Sequence, residues 1–373
     1  MKILELTWSL ASGGAEKFAV GLSNELYSMG HDVTYVCIRD LEKGDNGFNK
    51  IFFNPNINVH SFNIPKGQYW RHLHKIHAFI NNNNFDIVHF NGCFLHFFIF
   101  EFMRKTQTRF FHTIHNVASG GLPQNKILKH LYCNLYQKKK VVPIAISKQC
   151  ADSLYPYGIK KMLVSQIIDN GCSESLKTDN FDKVKAEIDY LRKDKNIKVL
   201  LHVARFAEPK RQNFLFQAVK ELADEGNSIE LVVLGNNYDS PEAKELVANA
   251  GSHIHILGKK TNVGDYLHCA DAFVLSSAWE GLPISLIEAL SAGCIPICTA
   301  VGGIPDVIED GVTGFLAKEV SVEAMKDAIK RYLANPKLIK PETLKQHFAK
   351  NFSMRECADK YIRLFESVKA QKQ

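Results

Sequence analysis

Short apolar runs, separated again and again by longer amphipathic stretches, restrict this chain more than any other feature of its sequence. Ile3 to Leu6, Val33 to Ile38, Ile87 to Phe90, Phe110 to Ile114, Val142 to Ile146 and Leu163 to Ile168 are compact and rich in β-branched or aromatic residues, the pattern of strands buried on both faces. Between them, Ala15 to Met29, Tyr69 to Asn81, Phe94 to Lys105, Asn125 to Lys138 and Lys148 to Tyr155 read as helices. Strand and helix in alternation predict an α/β chain with a parallel sheet covered by helices, a Rossmann-like domain over residues 1–170. A polar stretch, residues 171–196, reads as a crossing between domains. The alternation then restarts. Strands are expected at Val199 to Val203, Glu230 to Leu234, Ile254 to Leu257, Ala272 to Leu275 and Ile295 to Cys298. Helices are expected at Asn213 to Asp224, Glu242 to Ala250, Val263 to Cys269 and Ile284 to Ala292. That makes a second Rossmann-like domain over residues 197–351. Phe352 to Val368, in the segment 352–373, reads as a helix that returns to the first domain.

In such sheets ligands bind beyond the carboxyl ends of the strands. Ser276 to Glu288, SSAWEGLPISLIE, runs from one strand end into a helix start. Gly281 lets the backbone turn or approach a ligand, Leu282 follows, and Pro283 suits a first helical position. A helix N-terminus offers unpaired N–H groups to a phosphate, and Glu280 and Glu288 are acceptors suited to the hydroxyls of a ribose or a sugar. Equally, Glu280 could cap the helix and Glu288 stand in solvent. Arg205 and Lys210 follow the first strand of the second domain, where they could clamp a diphosphate or simply be surface charges. Val301 to Pro305 is a further glycine-bearing loop at the same edge.

In the first domain, Gly13 and Gly14 follow the first strand, either to bring backbone N–H groups to a ligand or to make a plain turn; GxGxxG is not present. His115 closes a strand whose His112 points to the opposite face, which argues against joint metal ligation. The groups His72, His74, His77 and His253, His255 have no acidic or cysteine partner at ligand spacing.

Composition narrows the class. The 373 residues are 46% hydrophobic and 23% charged, an ordinary globular balance. Nine cysteines without a CxxC pair suggest neither a disulfide framework nor a zinc site and fit a reducing cytoplasm. Glu5 interrupts the apolar start too early for a signal peptide, and Cys93 to Met103 falls short of the roughly 20 residues that span a bilayer. Up to Ile167 there are 19 Lys+Arg against 10 Asp+Glu, and beyond it 27 against 29. The basic first half fits an anionic partner, a membrane surface or a phosphate-bearing acceptor, or else a scattered solvated face. Phe94 to Met103, apolar nearly all round, is expected to be buried. Asn125 to Lys140, basic and amphipathic, is the better membrane-surface candidate.

The chain resembles the large family of retaining glycosyltransferases that includes glycogen synthase and the bacterial phosphatidylinositol mannosyltransferases, glycosyltransferase family 4, group 1. The resemblance spans nearly the whole chain. Its carriers are GGAE at Gly13 to Glu16, HTIHN at His112 to Asn116, DNG at Asp169 to Gly171, VARFAEPK at Val203 to Lys210, EGLPISLIEALSAG at Glu280 to Gly293, and VGGIPDVIEDGVTGFL at Val301 to Leu316. It implies two facing Rossmann-like domains, the glycosyltransferase B fold, with the active site in the cleft between them, the donor bound mainly by the second and the acceptor by the first. Arg205 and Lys210 would hold the donor diphosphate, Glu288 the ribose and Glu280 the transferred sugar, in a donor loop continuing through Gly281, Leu282 and Pro283. His115 would lie near the reacting carbon, and Gly13 and Gly14 would close over phosphate and acceptor. Catalytic roles thus fall to His115, Glu280, Arg205 and Lys210.

The implied activity moves a hexosyl unit from a UDP- or GDP-linked sugar to a saccharide or lipid-linked saccharide, with retention, in bacterial surface polysaccharide synthesis. The setting is the cytoplasm, with peripheral contact to the anionic inner face of the inner membrane. Arg205, Lys210 and helix N–H groups can stabilise the leaving diphosphate, and no acidic DxD cluster occurs in a loop, so no metal and no other cofactor is expected. Nor is a nucleic-acid partner. A nucleotide-sugar epimerase and a nonenzymatic nucleotide-sugar-binding protein are the alternatives.

Overall fold

The computed structural model describes residues 1–65, 67–92, 95–104, 106–160, 166–192, 194 and 196–370. Two compact units result, one built from Met1–Cys172 together with the segment from Phe352, the other from Ser173–Asn351.

The first unit has strands β1 (Lys2–Thr7), β2 (Asp32–Cys37), β3 (Asn58–Ser61), β4 (Ile87–Asn91), β5 (Arg109–Ile114) and β6 (Val142–Ala145). They form one parallel sheet in the order β3-β2-β1-β4-β5-β6. Ile3, Leu4, Leu6, Ile87, Val88 and Phe111 are fully buried, as a sheet covered on both faces requires. β3 carries no periodic apolar signal, because an edge strand reading NVHS alternates between half-buried and exposed positions. Of the strand expected over Leu163 to Ile168, residues 163–165 lie outside the described residues; Ile167 makes an isolated parallel bridge to Ala145.

The aromatic stretch from Phe94 differs from expectation. Phe94 and Lys105 lie outside the described residues, and the rest is a 3₁₀ turn, Leu95–Phe98, followed by the short helix Ile99–Met103. Leu95, Phe98 and Phe102 are buried, but Phe100 and Met103 stand 61% and 74% exposed. A single helical turn can press only one side against the sheet, so an all-apolar run of this length still leaves residues in solvent. Glu101 points inward and bonds His77, a pairing that sequence spacing does not reveal. The C-terminal helix Met354–Ala370 belongs to this unit: its Phe365 ring lies 4.5 Å from that of Phe111, and Tyr361 shares a 2.7 Å hydrogen bond with Thr113.

The second unit has strands β7 (Lys198–Val203), β8 (Ile229–Leu234), β9 (Ile254–Gly258), β10 (Ala272–Leu275), β11 (Ile295–Thr299) and β12 (Phe315–Ala317), in the parallel order β12-β11-β10-β7-β8-β9. The polar stretch 171–196 holds a helix, Phe181–Leu191, whose Val184 and Ile188 are buried and whose Glu187 accepts from Tyr266 at 2.8 Å. Two further helices, Val322–Ala334 and Pro341–Asn351, complete the unit after β12.

In each sheet the first strand lies in the middle, so the chain leaves it in opposite directions. The switch falls between β1 and β4 in one unit and between β7 and β10 in the other. At such a point the loops part and open a crevice at the carboxyl edge.

Candidate functional site

In the second unit the loops after β7 and β10 meet at that switch. The turn Glu208–Lys210 is fastened to the loop after β10 by Ala278 N–H donating to Pro209 C=O at 2.7 Å and by the Ser276 hydroxyl donating to Lys210 C=O at 2.8 Å. This brings Lys210 Nζ to 2.6 Å from Glu280 Oε1, although 70 residues separate them. The Ser277 hydroxyl donates to the same Oε1 at 2.5 Å, and Thr299 Oγ1 donates to Ser277 C=O at 2.6 Å, tying in the end of β11. Arg205, two residues past β7, is exposed at the same edge.

These contacts speak against the capping and solvated roles of the two carboxylates. Glu280 does not cap the helix Ile284–Ala292, which has no side-chain cap; it is 9% exposed and paired with Lys210. Glu288 is 8% exposed, so it does not stand in solvent. Pro283 occupies the N-cap rather than the first helical position. Its side chain cannot accept from the helix, so the N–H groups of Ile284 and Ser285 have no intrahelical acceptor, the arrangement that favours an anion. Gly281, Leu282 and Pro283 are buried, and Gly303 N–H donates to Gly281 C=O at 2.7 Å. Gly302 has φ +63, and a side chain there would run into the carbonyl of Glu280. The site is therefore a polar cluster held from three strand ends, with one cation and one carboxylate already in register. A separate cavity of about 720 Å³, lined among others by Phe206, Arg211, Asn237, Glu242 and Leu246, contains neither Lys210 nor Glu280.

In the first unit, Gly13 is the extended N-cap of the helix Gly14–Ser28. The preceding loop is pinned by Ser12, whose N–H and hydroxyl both donate to Asp45 at 3.0 and 2.6 Å. His115 follows β5 directly, and its Nε2 lies 3.1 Å from Asn91 Oδ1 at the end of β4. Burial first, then His89 and His112, lower its pKa to about 3, so it is neutral near pH 7. His112 points to the other side, as strand alternation requires, and lies 2.7 Å from the Tyr136 hydroxyl.

Sequence spacing missed the polar residues behind His115. Glu5 on β1 sits in register opposite His89 on β4, and Asn91 comes two residues later on the same face. Both neighbours bond Glu5: His89 Nδ1 lies 2.9 Å from it and Asn91 Nδ2 donates to it at 2.7 Å. Glu, His and Asn at matching positions of otherwise apolar strands were the available signal. Likewise His253 and His255 do have an acidic neighbour, Glu230 of β8, at 3.1 and 2.7 Å. Among the described residues no group of three or more His, Cys, Asp or Glu has the form of a metal site, and no helix is long and apolar enough to cross a membrane.

Comparison with known proteins agrees with this layout. The family model described as glycosyltransferase family 4 matches residues 12–172, and that described as glycosyl transferases group 1 matches residues 184–351. The N-acetyl-alpha-D-glucosaminyl L-malate synthase of Bacillus anthracis is 30% identical over 160 residues, 41% of this chain and 42% of that protein. A glycogen synthase of Thermodesulfovibrio yellowstonii is 28% identical over 174 residues, 46% of this chain and 35% of its own. The matched regions thus span less than two thirds of these relatives' lengths. An uncharacterized glycosyltransferase of Haemophilus influenzae is 21% identical over 88% of this chain and 89% of its own. Among solved structures, Anabaena Alr3699/HepE in complex with UDP-glucose has a TM-score of 0.80 at 18% identity, covering 98% of this chain and 100% of that one. At that identity the likeness concerns the fold.

Proposed function

The chain belongs to glycosyltransferase family 4, the group 1 glycosyl transferases, and from that premise we propose that it moves a hexosyl unit from a nucleotide sugar to a saccharide or lipid-linked saccharide, with retention of anomeric configuration, in the synthesis of a bacterial surface polysaccharide. The observation that carries the reading is the Lys210–Glu280 pair at the switch of the second sheet, beside an uncapped helix N-terminus. Arg205 and Lys210 take the donor diphosphate, Glu288 the ribose and Glu280 a hydroxyl of the transferred sugar, with Gly281, Leu282 and Pro283 shaping the loop. Gly13 and Gly14 close over phosphate and acceptor, Gly14 offering its backbone N–H while that of Gly13 donates to Ala11 C=O at 2.8 Å, and His115 faces the sugar. Relatives whose names specify lipopolysaccharide and amylovoran synthesis support the pathway class. The UDP-glucose complex of the Anabaena protein makes UDP-hexoses the first donors to try.

Chemically, cleavage at the anomeric carbon leaves a cation-like sugar and adds negative charge to the diphosphate. Lys210 and Arg205 stabilise that charge as it grows, which lowers the barrier more than it tightens ground-state binding. Lys210 and Glu280 hold each other at 2.6 Å, which fixes both groups at the switch where diphosphate and sugar are to bind. Glu280 is engaged by Lys210 and Ser277, which disfavours it as a covalent nucleophile. The acceptor therefore attacks from the face the diphosphate leaves, and a diphosphate oxygen takes the acceptor proton.

An anionic membrane surface is the proposed docking partner of the first unit. Between Asp86 and Asp152 the only acidic residue is Glu101, against nine Lys and Arg. The helix Lys126–Gln137 has no acidic residue in its first turn and leaves Ile127 79% exposed, while Trp70 stands 62% exposed. Basic side chains around exposed apolar ones suit a headgroup layer.

The test is a panel of UDP-, GDP- and ADP-hexoses with a saccharide acceptor, read by NMR of the product. An α-linked donor is expected to give an α-linked product, and Arg205→Ala to lower kcat/KM by about 10²–10³-fold. A β-linked product would overturn retention. Epimerised nucleotide sugar without acceptor would replace the transferase reading with an isomerase.

A further inference from the structure

Six polar side chains run in an unbroken hydrogen-bonded line through the apolar core of the first unit. From the C-terminal helix, the Tyr361 hydroxyl meets Thr113 Oγ1 at 2.7 Å; Thr113 Oγ1 meets His89 Nε2 at 2.7 Å; His89 Nδ1 lies 2.9 Å from the Glu5 carboxylate. From the other side, His115 Nε2 lies 3.1 Å from Asn91 Oδ1, and Asn91 Nδ2 lies 2.7 Å from Glu5 Oε2. Glu5, His89, Thr113 and Tyr361 are fully buried, and Asn91 is 3% exposed. Among the described residues neither lysine nor arginine pairs with Glu5.

One assignment of protons satisfies the whole line. Asn91 N–H donates to Glu5 Oε2, and His89 Nδ1, 2.9 Å from the same carboxylate, takes the donor role there as well. The amide of Asn91 is thereby fixed: with its nitrogen toward Glu5, its oxygen faces His115, and reversing it would set oxygen against carboxylate. The ring of His115 must then donate through Nε2–H, which leaves Nδ1 as the bare acceptor. On the remaining side, with a neutral His89 ring, Thr113 O–H donates to His89 Nε2 and Tyr361 O–H to Thr113. In that arrangement every donor in the line points toward Glu5.

The far end of the line is unfinished. Nδ1 of His115 is buried and has no hydrogen-bond partner among the described residues. A buried acceptor that a fixed tautomer keeps bare is suited to a hydroxyl donor and rejects a second acceptor. We propose that Glu5 and Asn91 are positioning residues that lock His115 in its Nε2–H tautomer, so that Nδ1 accepts a hydroxyl group of the sugar substrate. The choice of a sugar rests on the transferase reading; the locked tautomer does not. His115 thus serves neither as acid nor as cation.

Two readouts separate the possibilities. In the full-length protein labelled with ¹⁵N-histidine, the His115 ring signals are identified by their loss in His115→Gln. The expected result is a protonated Nε2 and an unprotonated Nδ1 in the wild type. In Glu5→Gln and Asn91→Leu the lock is released, and the Nδ1 and Nε2 shifts are expected to move toward each other as tautomers mix. A wild-type Nδ1–H tautomer would overturn the proposal even if neither variant folds, as would unchanged shifts in a folded variant. With the nucleotide sugar that the donor panel returns, Asn91→Leu is expected to lower kcat by about tenfold to a hundredfold with KM little changed; loss confined to KM counts against positioning. If no nucleotide sugar is turned over, the transferase reading fails, while the tautomer result still stands or falls alone.

Discussion

Replacing Gly302 by alanine tests whether the loop after β11 fixes Glu280. Gly302 has φ +63, where a Cβ costs about 1–2 kcal/mol. The added carbon would also lie 2.8 Å from the carbonyl carbon of Glu280 and 3.1 Å from its Cβ, closer still to the carbonyl oxygen. That oxygen cannot retreat freely, because Gly303 N–H holds Gly281 C=O at 2.7 Å and Thr299 holds Ser277 C=O at 2.6 Å. Overpacking of this kind costs about 1–3 kcal/mol, so the total loss is about 2–5 kcal/mol. Gly311 supplies the control: it has φ +80 but nothing within 4 Å of an added Cβ, so Gly311→Ala carries the backbone strain alone. Both variants change the unfolded chain alike, and the difference between them isolates the collision. At about 2–4 °C per kcal/mol for a unit of this size, Gly302→Ala is expected to melt about 2–12 °C below Gly311→Ala by calorimetry. It should also lose transfer activity, because relief of the clash moves Glu280 off Lys210. Equal melting temperatures would refute the collision; a lower melting temperature with unchanged turnover would refute the dependence of Glu280 on this glycine.

Two other outcomes follow from charge. The full-length protein is expected to sediment with vesicles containing anionic lipid more than with neutral ones, with binding fading as salt shortens the screening length to about 8 Å at physiological strength; Lys126→Glu should weaken it about fivefold or more, at about 1 kcal/mol per basic residue, and equal binding to both vesicle types would remove the membrane surface as a partner. Burial lowers the pKa of His112 to about 3 and of His202 to about 4, so the unfolded chain takes up protons at higher pH than the native one. Their contribution is complete above the unfolded pKa near 6.5 and is lost as pH falls toward the folded values, at up to about 1.4 kcal/mol per pH unit for each residue. Urea unfolding from pH 7 to pH 5 should show this loss, reduced in His112→Gln and His202→Gln; identical slopes in wild type and variants would contradict it.

Ten of the strands announce themselves as compact apolar runs, because both faces of a covered parallel sheet must be apolar. β3 and β12 do not: one is a half-exposed edge strand, and the other is only three residues long. The helix Phe181–Leu191 hides in a polar segment because only Val184 and Ile188 reach the core. Arg205, Lys210 and Glu280 in the second unit and His115 in the first were legible as polar residues just past strand ends. The pairing of Lys210 with Glu280 was not, since it depends on how far each loop leans over the switch. Glu5 and Asn91 were likewise hidden, because their meaning lies in the β1–β4 register rather than in spacing along either strand.

The placement of the helix Met354–Ala370 in the first unit has a consequence for how the protein is made. Its covering residues Tyr361 and Phe365 leave the ribosome only after the whole of Ser173–Asn351. Until then Phe111 on β5 lacks Phe365, and the hydroxyl of Thr113 has His89 but not Tyr361. The second unit can therefore complete its sheet during synthesis, whereas the first waits with an apolar face uncovered, the kind of intermediate that chaperones hold. Translation order thus makes the unit begun first the last to be finished.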